Sequence, residues 1–397
     1  MTLIRSRTGA RNLRAGTTVC LLVAAAACVA TLGCSSKPHG KLAAASSQPR
    51  VDPGYAPERR YQTTATQDTW LIQSEPVDIR LLVPIQTQGG RYPLIFYFPG
   101  LGEAADAGLA WRQSWAQAGY AVLSAQPVKY GAAVWSSDRA RVGDFFEIAK
   151  DAFATPSLAA RTELARGLID ETWRRQASHD PALGRIDMSR VAVAGYDLGA
   201  QTAMMLAGEN VRGVESIQVP DSVKCVVTLS PYADFSGMGL QSNFGTIHLP
   251  VLSVTSGQDT DAYGLVTSAS IRRAPYQYMP PGQKYLLILA SAPHSLLAGT
   301  SAPAPGSPES GSEAEADPDI LSDKPAASDS GQGHKKRRGT SPAKGSSSAQ
   351  RAREIAQIQS VTAAFLDATL KNDPIGAEWL SRNAQRWLGE SADLQSK

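Results

Sequence analysis

Cysteine is scarce: Cys20, Cys28, Cys34 and Cys225 are the four in 397 residues, too few for a disulfide-stapled scaffold or a cysteine-rich zinc module. Charge of one sign is also lacking. Lys and Arg number 39 against 36 Asp and Glu, and Arg5, Arg7, Arg11 and Arg14 fall in the first 34 residues, where there is no acid. The remaining 35 basic and 36 acidic side chains nearly cancel, which removes the electrostatic basis for a nucleic-acid partner. The longest apolar run, Thr17–Leu32, is short for a membrane-spanning helix. No internal repeat is evident. What is present is a 43% hydrophobic chain, enough for a sizeable core and incompatible with disorder throughout.

The arginine-rich start followed by that apolar run has the layout of a secretory signal peptide over residues 1–33. The run meets Leu32-Gly33-Cys34, which resembles the lipobox of bacterial lipoproteins, although Thr31 stands where an aliphatic residue is usual. The resemblance implies that Cys34 is lipidated and becomes the mature N-terminus. With Ser35 next, the expected location is the cell envelope, anchored to the outer membrane and facing the periplasm. Cys225 would then be a lone thiol, expected in the core.

Residues 34–68, rich in Ser, Pro and Gly, read as a flexible tether. Beyond it, apolar β-type runs alternate with helical patterns. Strands are expected at Val77–Ile85, Tyr92–Phe98, Ala121–Ala125, Arg190–Ala194, Val223–Leu229, Val251–Thr255 and Tyr285–Ala290. Helices are expected at Leu109–Ala118 and Ala200–Ala207, with a helical insertion over about 131–180. Consecutive apolar β-formers alternating with helices predict an α/β fold: a mostly parallel central sheet covered by helices on both faces. The main domain is expected over 69–297. Residues 298–350, dense in Ser, Pro, Ala and Gly, read as a disordered insert whose Lys335-Lys336-Arg337-Arg338 run is solvated. Helical periodicity returns in 351–397, expected to be C-terminal helices that complete the domain.

The chemistry is concentrated in Arg190–Ala200, where a strand runs into Gly195-Tyr196-Asp197-Leu198-Gly199 and a helical run follows. A tight strand-to-helix turn of this kind lifts one side chain over the sheet, beside the positive end of a helix. Two further pieces follow in chain order. Val251–Thr255 leads to Asp259 at one strand end, and Tyr285–Ala290 leads to His294 at the next. Upstream, Phe98-Pro99-Gly100-Leu101-Gly102 closes a core strand, so the backbone N–H of Leu101 can pair with that of Leu198 as an oxyanion hole. Asp261, two residues on, competes with Asp259 for the role of acid, and Asp234 is a third candidate. His39, His179, His248 and His334 lie outside this pattern and are expected to be structural or solvated.

Tyr92–Gly102, Val191–Gly199, Thr255–Tyr263 and His294 together resemble the α/β-hydrolase superfamily, in particular its platelet-activating-factor acetylhydrolase and dienelactone hydrolase branch. The resemblance covers nearly all of the chain outside the tether and the insert. It implies the α/β-hydrolase fold and an esterase or lipase-like activity on a small-molecule or lipid substrate, without metal or organic cofactor. One position departs decisively: the family's nucleophile is Ser or Cys, and here it is Asp197, with no Gly-x-Ser-x-Gly anywhere else. Pro99 also replaces the His common before the oxyanion glycine.

An aspartate nucleophile suits a saturated carbon, as in an epoxide or haloalkane, where it forms an alkyl ester that His294 and water then cleave. The haloalkane dehalogenases that share this pattern carry Trp after the nucleophile, and here it is Leu198. Epoxide hydrolases protonate the epoxide oxygen with cap tyrosines, for which Tyr130 and Tyr232 are candidates. Beside this stands a second expectation, a catalytically inactive hydrolase scaffold that binds a ligand at the cell envelope.

Overall fold

A computed structural model of the chain describes residues 54–85, 90–215, 218–234, 239–299 and 348–397. All belong to one compact unit. The signal segment, Cys34 and nearly all of the expected insert lie outside the described residues.

Among the described residues two strands come first, β1 (Gln62–Ile72) and β2 (Glu75–Ile85), followed by β3 (Tyr92–Phe98), α1 (Leu109–Gln117) and β4 (Ala121–Pro127). Short 3-10 turns then lead into α2 (Asp138–Arg141), α3 (Phe145–Ala152) and the long α4 (Thr155–Ala177). Next come β5 (Ile186–Tyr196), α5 (Leu198–Leu206), β6 (Val223–Leu229), α6 (Leu240–Phe244) and β7 (Val251–Gln258). A 3-10 turn at Ala269–Arg273 precedes α7 (Ala274–Tyr278), β8 (Lys284–Pro293) and α8 (His294–Leu297). The chain closes with α9 (Ser348–Leu370), α10 (Pro374–Glu378), α11 (Ala384–Leu388) and β9 (Ala392–Ser396).

The strands form one nine-stranded sheet in the order β1-β2-β4-β3-β5-β6-β7-β8-β9. The run from β4 through β3, β5, β6 and β7 to β8 is parallel, and β1, β2 and β9 join antiparallel at the edges. The fold is therefore α/β with a mostly parallel mixed sheet. All seven residues of β3 are buried. Leu94, Phe96 and Phe98 face one apolar layer with α4 and α5, while Ile95 and Tyr97 face the other with Trp111, Trp115 and α9. That two-sided burial is why the central strands are continuous apolar runs in the sequence. Cys225 is fully buried with a free thiol, whose pKa burial pushes up to about 12.

Three boundaries differ from the sequence reading. The tether does not extend to residue 68, because β1 begins at Gln62, and Tyr55 Oη already donates to Asp367 Oδ2 at 2.7 Å. β1 is an edge strand whose mostly exposed, Thr- and Gln-rich sequence carries no hydrophobic alternation until Trp70 and Ile72. The domain accordingly starts well before residue 69. The expected helical insertion over about 131–180 is present, but its long α4 belongs to the sheet's own covering layer, with Leu164, Ala165, Leu168 and Ile169 in the core. Residues 351–397 are not all helical and end in β9, which is short, polar and paired with β8 alone.

Candidate active site

The turn between β5 and α5 is shaped by its glycines. A Cβ on Gly199 would run into the Phe98 carbonyl and lie 2.7 Å from Pro99 O, and one on Gly195 would lie 2.8 Å from Ala200 N. Only hydrogen at both positions lets α5 start directly against β3 and β5. Asp197, between them, has φ 52° and ψ −115°, a conformation unfavourable for a residue with a side chain. Its N–H donates to Leu229 O at 3.0 Å and its carbonyl accepts from Gln201 N at 3.1 Å, so the strained residue is held from both sides. It is 4% exposed.

The structure brings His294 and Asp259 to Asp197. His294 Nδ1 is 2.7 Å from Asp259 Oδ1, and its Nε2 is 3.9 Å from Asp197 Oδ1. The Asp259 carboxylate acceptor assigns the ring proton to Nδ1, which leaves Nε2 facing Asp197. Tyr196 supports the ring: its hydroxyl donates to the His294 carbonyl at 3.1 Å, and the two ring centroids are 5.0 Å apart. Asp259 also accepts from Thr255 Oγ1 at 2.7 Å and from Ser230 Oγ. Burial alone would raise the Asp259 pKa, but the hydrogen bond from His294, the charge of Arg272 and the Ser230 hydroxyl together hold it below the usual carboxylate range.

The competing acids are resolved by position. Asp261 spends its carboxylate on the backbone N–H groups of Tyr263 at 2.9 Å, Leu265 at 3.0 Å and Val266, which shapes that loop. Asp234 is exposed. His179 and His248 are also exposed, and His39 and His334 lie outside the described residues.

Four contributors were not legible beforehand. Arg272 is fully buried behind the histidine. It donates to Ser230 O at 2.9 Å and lies 3.6 Å from Asp259 Oδ1 and 3.9 Å from both Asp197 Oδ1 and Asp261 Oδ2. Ser230, with φ 57° at the end of β6, sits between Arg272 and Asp259. Arg161 of α4 reaches Pro99 O at 3.1 Å and Gln126 Oε1 at 3.2 Å, and burial pushes its pKa down to about 10. Glu103 is half-buried beside the loop after β3, and its Oε2 accepts from Gly100 N at 2.8 Å. Only Glu103 had a sequence signal, an acid directly after the Gly-Leu-Gly that ends a core strand.

The loop 99–103 is fixed from behind. Arg161 holds the Pro99 carbonyl, and Gln126 Nε2 donates to the carbonyls of Gly100 at 2.8 Å and Glu103 at 2.9 Å. Gly102 N–H goes to Tyr130 O at 2.8 Å. Among the described residues, the backbone N–H groups of Leu101 and Leu198 have no acceptor, while both side chains are buried among residues of α2, α3 and the start of α4. Above them, Trp135 stacks on Tyr263 at 5.0 Å and covers Gly102, where a Cβ would lie 2.7 Å from Trp135 Cδ1. Tyr232 packs its ring on Phe153 at 5.0 Å, and the Tyr130 hydroxyl is 3.4 Å from Ser157 O.

Among the described residues no group of three or more His, Cys, Asp or Glu is arranged to hold a metal ion. Chemically, the arrangement offers a carboxylate on a strained turn, an imidazole poised over it and a second carboxylate orienting the imidazole. Two unsatisfied N–H groups complete it. The chain matches no known protein family and no curated protein.

Proposed function

We propose that the chain is a hydrolase of the α/β-hydrolase superfamily that attacks a saturated carbon through Asp197. The observation that carries this reading is His294 Nε2 facing Asp197 Oδ1 at 3.9 Å, with Asp259 fixed behind the ring. In the first step an Asp197 oxygen displaces a leaving group and forms an alkyl ester. In the second, His294 takes a proton from water as the water oxygen attacks Asp197 Cγ. The negative oxygen of that intermediate is held by the N–H groups of Leu101 and Leu198, at the positive end of α5. Collapse breaks the Cγ–O bond, His294 returns the proton to the departing alkoxide, and an alcohol leaves. One oxygen of Asp197 then comes from water.

That exchange is the test. A single turnover in water labelled with oxygen-18 leaves the label on Asp197 rather than in the product. His294→Gln stops after the first step and accumulates an ester visible by intact-protein mass spectrometry, and Asp197→Asn forms none. A second reading, a binding protein on the same scaffold, draws on Arg272, whose guanidinium already neighbours Asp197. Absence of both label and adduct across epoxide and haloalkane panels selects it. In either case we place the protein at the cell envelope, anchored to the outer membrane through lipidated Cys34. Cys34→Ala then releases it from the membrane fraction, and continued retention refutes the anchor.

A further inference from the structure

The acid that must accompany the first step is not supplied by the groups assigned so far. A halide leaves as a stable anion, whereas an epoxide oxygen leaves as an alkoxide and requires a proton. Neither tyrosine anticipated for that task stands out: Tyr130 directs its hydroxyl at the Ser157 carbonyl, and Tyr232 packs on Phe153. A different group lies on the oxyanion loop itself.

Glu103 Oε2 is tied to the Gly100 N–H at 2.8 Å, and Oε1 has no hydrogen-bond partner among the described residues. The same Gly100 separates it from the catalytic side chains. A Cβ there would lie 3.2 Å from Glu103 Oε2 and 2.9 Å from Tyr196 Cδ1, and the Tyr196 ring packs on His294. Glu103 is thus one glycine away from Tyr196, whose ring packs on the imidazole, and the charges of both Asp197 and His294 act on it. Resting on the Asp197 reading above, we propose that Glu103 is the catalytic acid of the first step and that the substrate is an epoxide.

The atoms balance without a further reagent. Asp197 Oδ1 bonds to the epoxide carbon, the carbon–oxygen bond of the ring breaks, and Glu103 gives its proton to that oxygen. Hydrolysis of the ester then returns Asp197 as a carboxylate and releases one proton, which restores Glu103. The protonation state fits the task. Burial raises the Glu103 pKa to about 7, with the Gly100 N–H lowering it, the Asp197 charge raising it and His294 lowering it again. The Glu103 charge in turn acts on the buried hydroxyls of Tyr97, Tyr196 and Tyr263. Leu198, where a dehalogenase carries a halide-binding Trp, agrees with an oxygen leaving group.

The experiment compares alkylation of Asp197 in the His294→Gln background by a terminal aryl epoxide and by the matching alkyl bromide, each followed by intact-protein mass spectrometry. Adding E103Q keeps an acceptor for the Gly100 N–H and removes the proton. The expected result is a fall of about 10²-fold in the ratio of epoxide to bromide rates. With Glu103 present, epoxide alkylation slows as pH rises through about 7, and with Gln that dependence disappears. Glu103→Asp restores part of the ratio. A ratio within twofold of the parent, in an E103Q protein that unfolds at the same urea concentration, overturns the role of Glu103 while leaving Asp197 as nucleophile. Bromide adducts without epoxide adducts in the parent overturn the substrate class. No adduct from either probe removes the Asp197 reading and this one with it.

Discussion

Arg272→Met is the sharpest test of how the site is held together. The guanidinium is fully buried and is the cation nearest three carboxylates: 3.6 Å from Asp259 and 3.9 Å from Asp197 and Asp261. It also caps the Ser230 carbonyl at 2.9 Å and the Pro231 carbonyl at 3.4 Å. Met fills much of the same volume, so the loss is chiefly electrostatic. Removing one partner of a buried ion pair costs about 3–5 kcal/mol, because the remaining charge stays buried without compensation. Urea unfolding at pH 8 is expected to report a loss of that size.

The pH dependence then separates charge from packing. In the parent, Asp259 is held below the usual carboxylate range, so its contribution is present at neutral pH and is lost as pH falls through its folded-state value. Without Arg272, one of the groups that hold Asp259 down is gone and its folded-state pKa rises, while His294 and Ser230 still lower it. The deficit is therefore greatest at high pH, where Asp259 is ionised in both proteins, and shrinks as pH falls and Asp259 takes up its proton. A loss under about 1 kcal/mol at pH 8, or one that grows on acidification, would falsify this account of Arg272.

Other outcomes follow from single contacts. Gly199→Ala drives a Cβ into the Phe98 carbonyl and within 2.7 Å of Pro99 O, so neither neighbour can yield by rotating a side chain. A loss of about 3 kcal/mol or loss of soluble protein is expected, and near-parental urea stability would refute the close packing of α5 on β3. Glu209, buried and bonded to Gln201 Nε2 at 2.8 Å, has its pKa raised by burial to about 8. Its proton is bound more tightly in the folded state, so stability declines as pH rises from the ordinary carboxylate range toward about 8. Glu209→Gln is therefore more stable than the parent at pH 8 and equal to it near the bottom of that range, and identical pH profiles would remove the buried acid from consideration.

How much could be read from the sequence followed from burial. Strands β3, β5, β6 and β7 are buried on both faces and β8 chiefly on one, an unbroken apolar run announces each, and the residues at their ends locate the turn, the acid and the histidine. β1 and β9 pair with one neighbour each, so little in their composition distinguishes them from loop or helix. Arg272 belongs to a short 3-10 turn and reaches Asp197, 75 positions earlier, only through the folded loops, a relation that no periodicity encodes. Ser230 and Arg161 act in the same way, through contacts to backbone carbonyls and to side chains far away in the chain.

Asp in place of Ser at the turn changes the charge of the site as well as its chemistry. With Asp197 ionised, three carboxylates surround Arg272, and protonation of His294 leaves the group one charge short of balance. Alkylation of Asp197 removes that charge. Arg272 then faces Asp259 and Asp261 alone, so two carboxylates remain beside the guanidinium. Asp197→Ser imposes the same balance permanently. Arg272 keeps two carboxylate partners, so the fold is expected to survive, while the hydroxyl lies under His294 with the N–H groups of Leu101 and Leu198 nearby. Hydrolysis of a short p-nitrophenyl ester above the Asp197→Ala background is the expected result. If the serine variant folds, is no faster than the alanine variant, and the parent forms no ester with any epoxide, then His294 and Asp259 do not act as a catalytic pair. The charge network around Arg272 would then serve the fold alone.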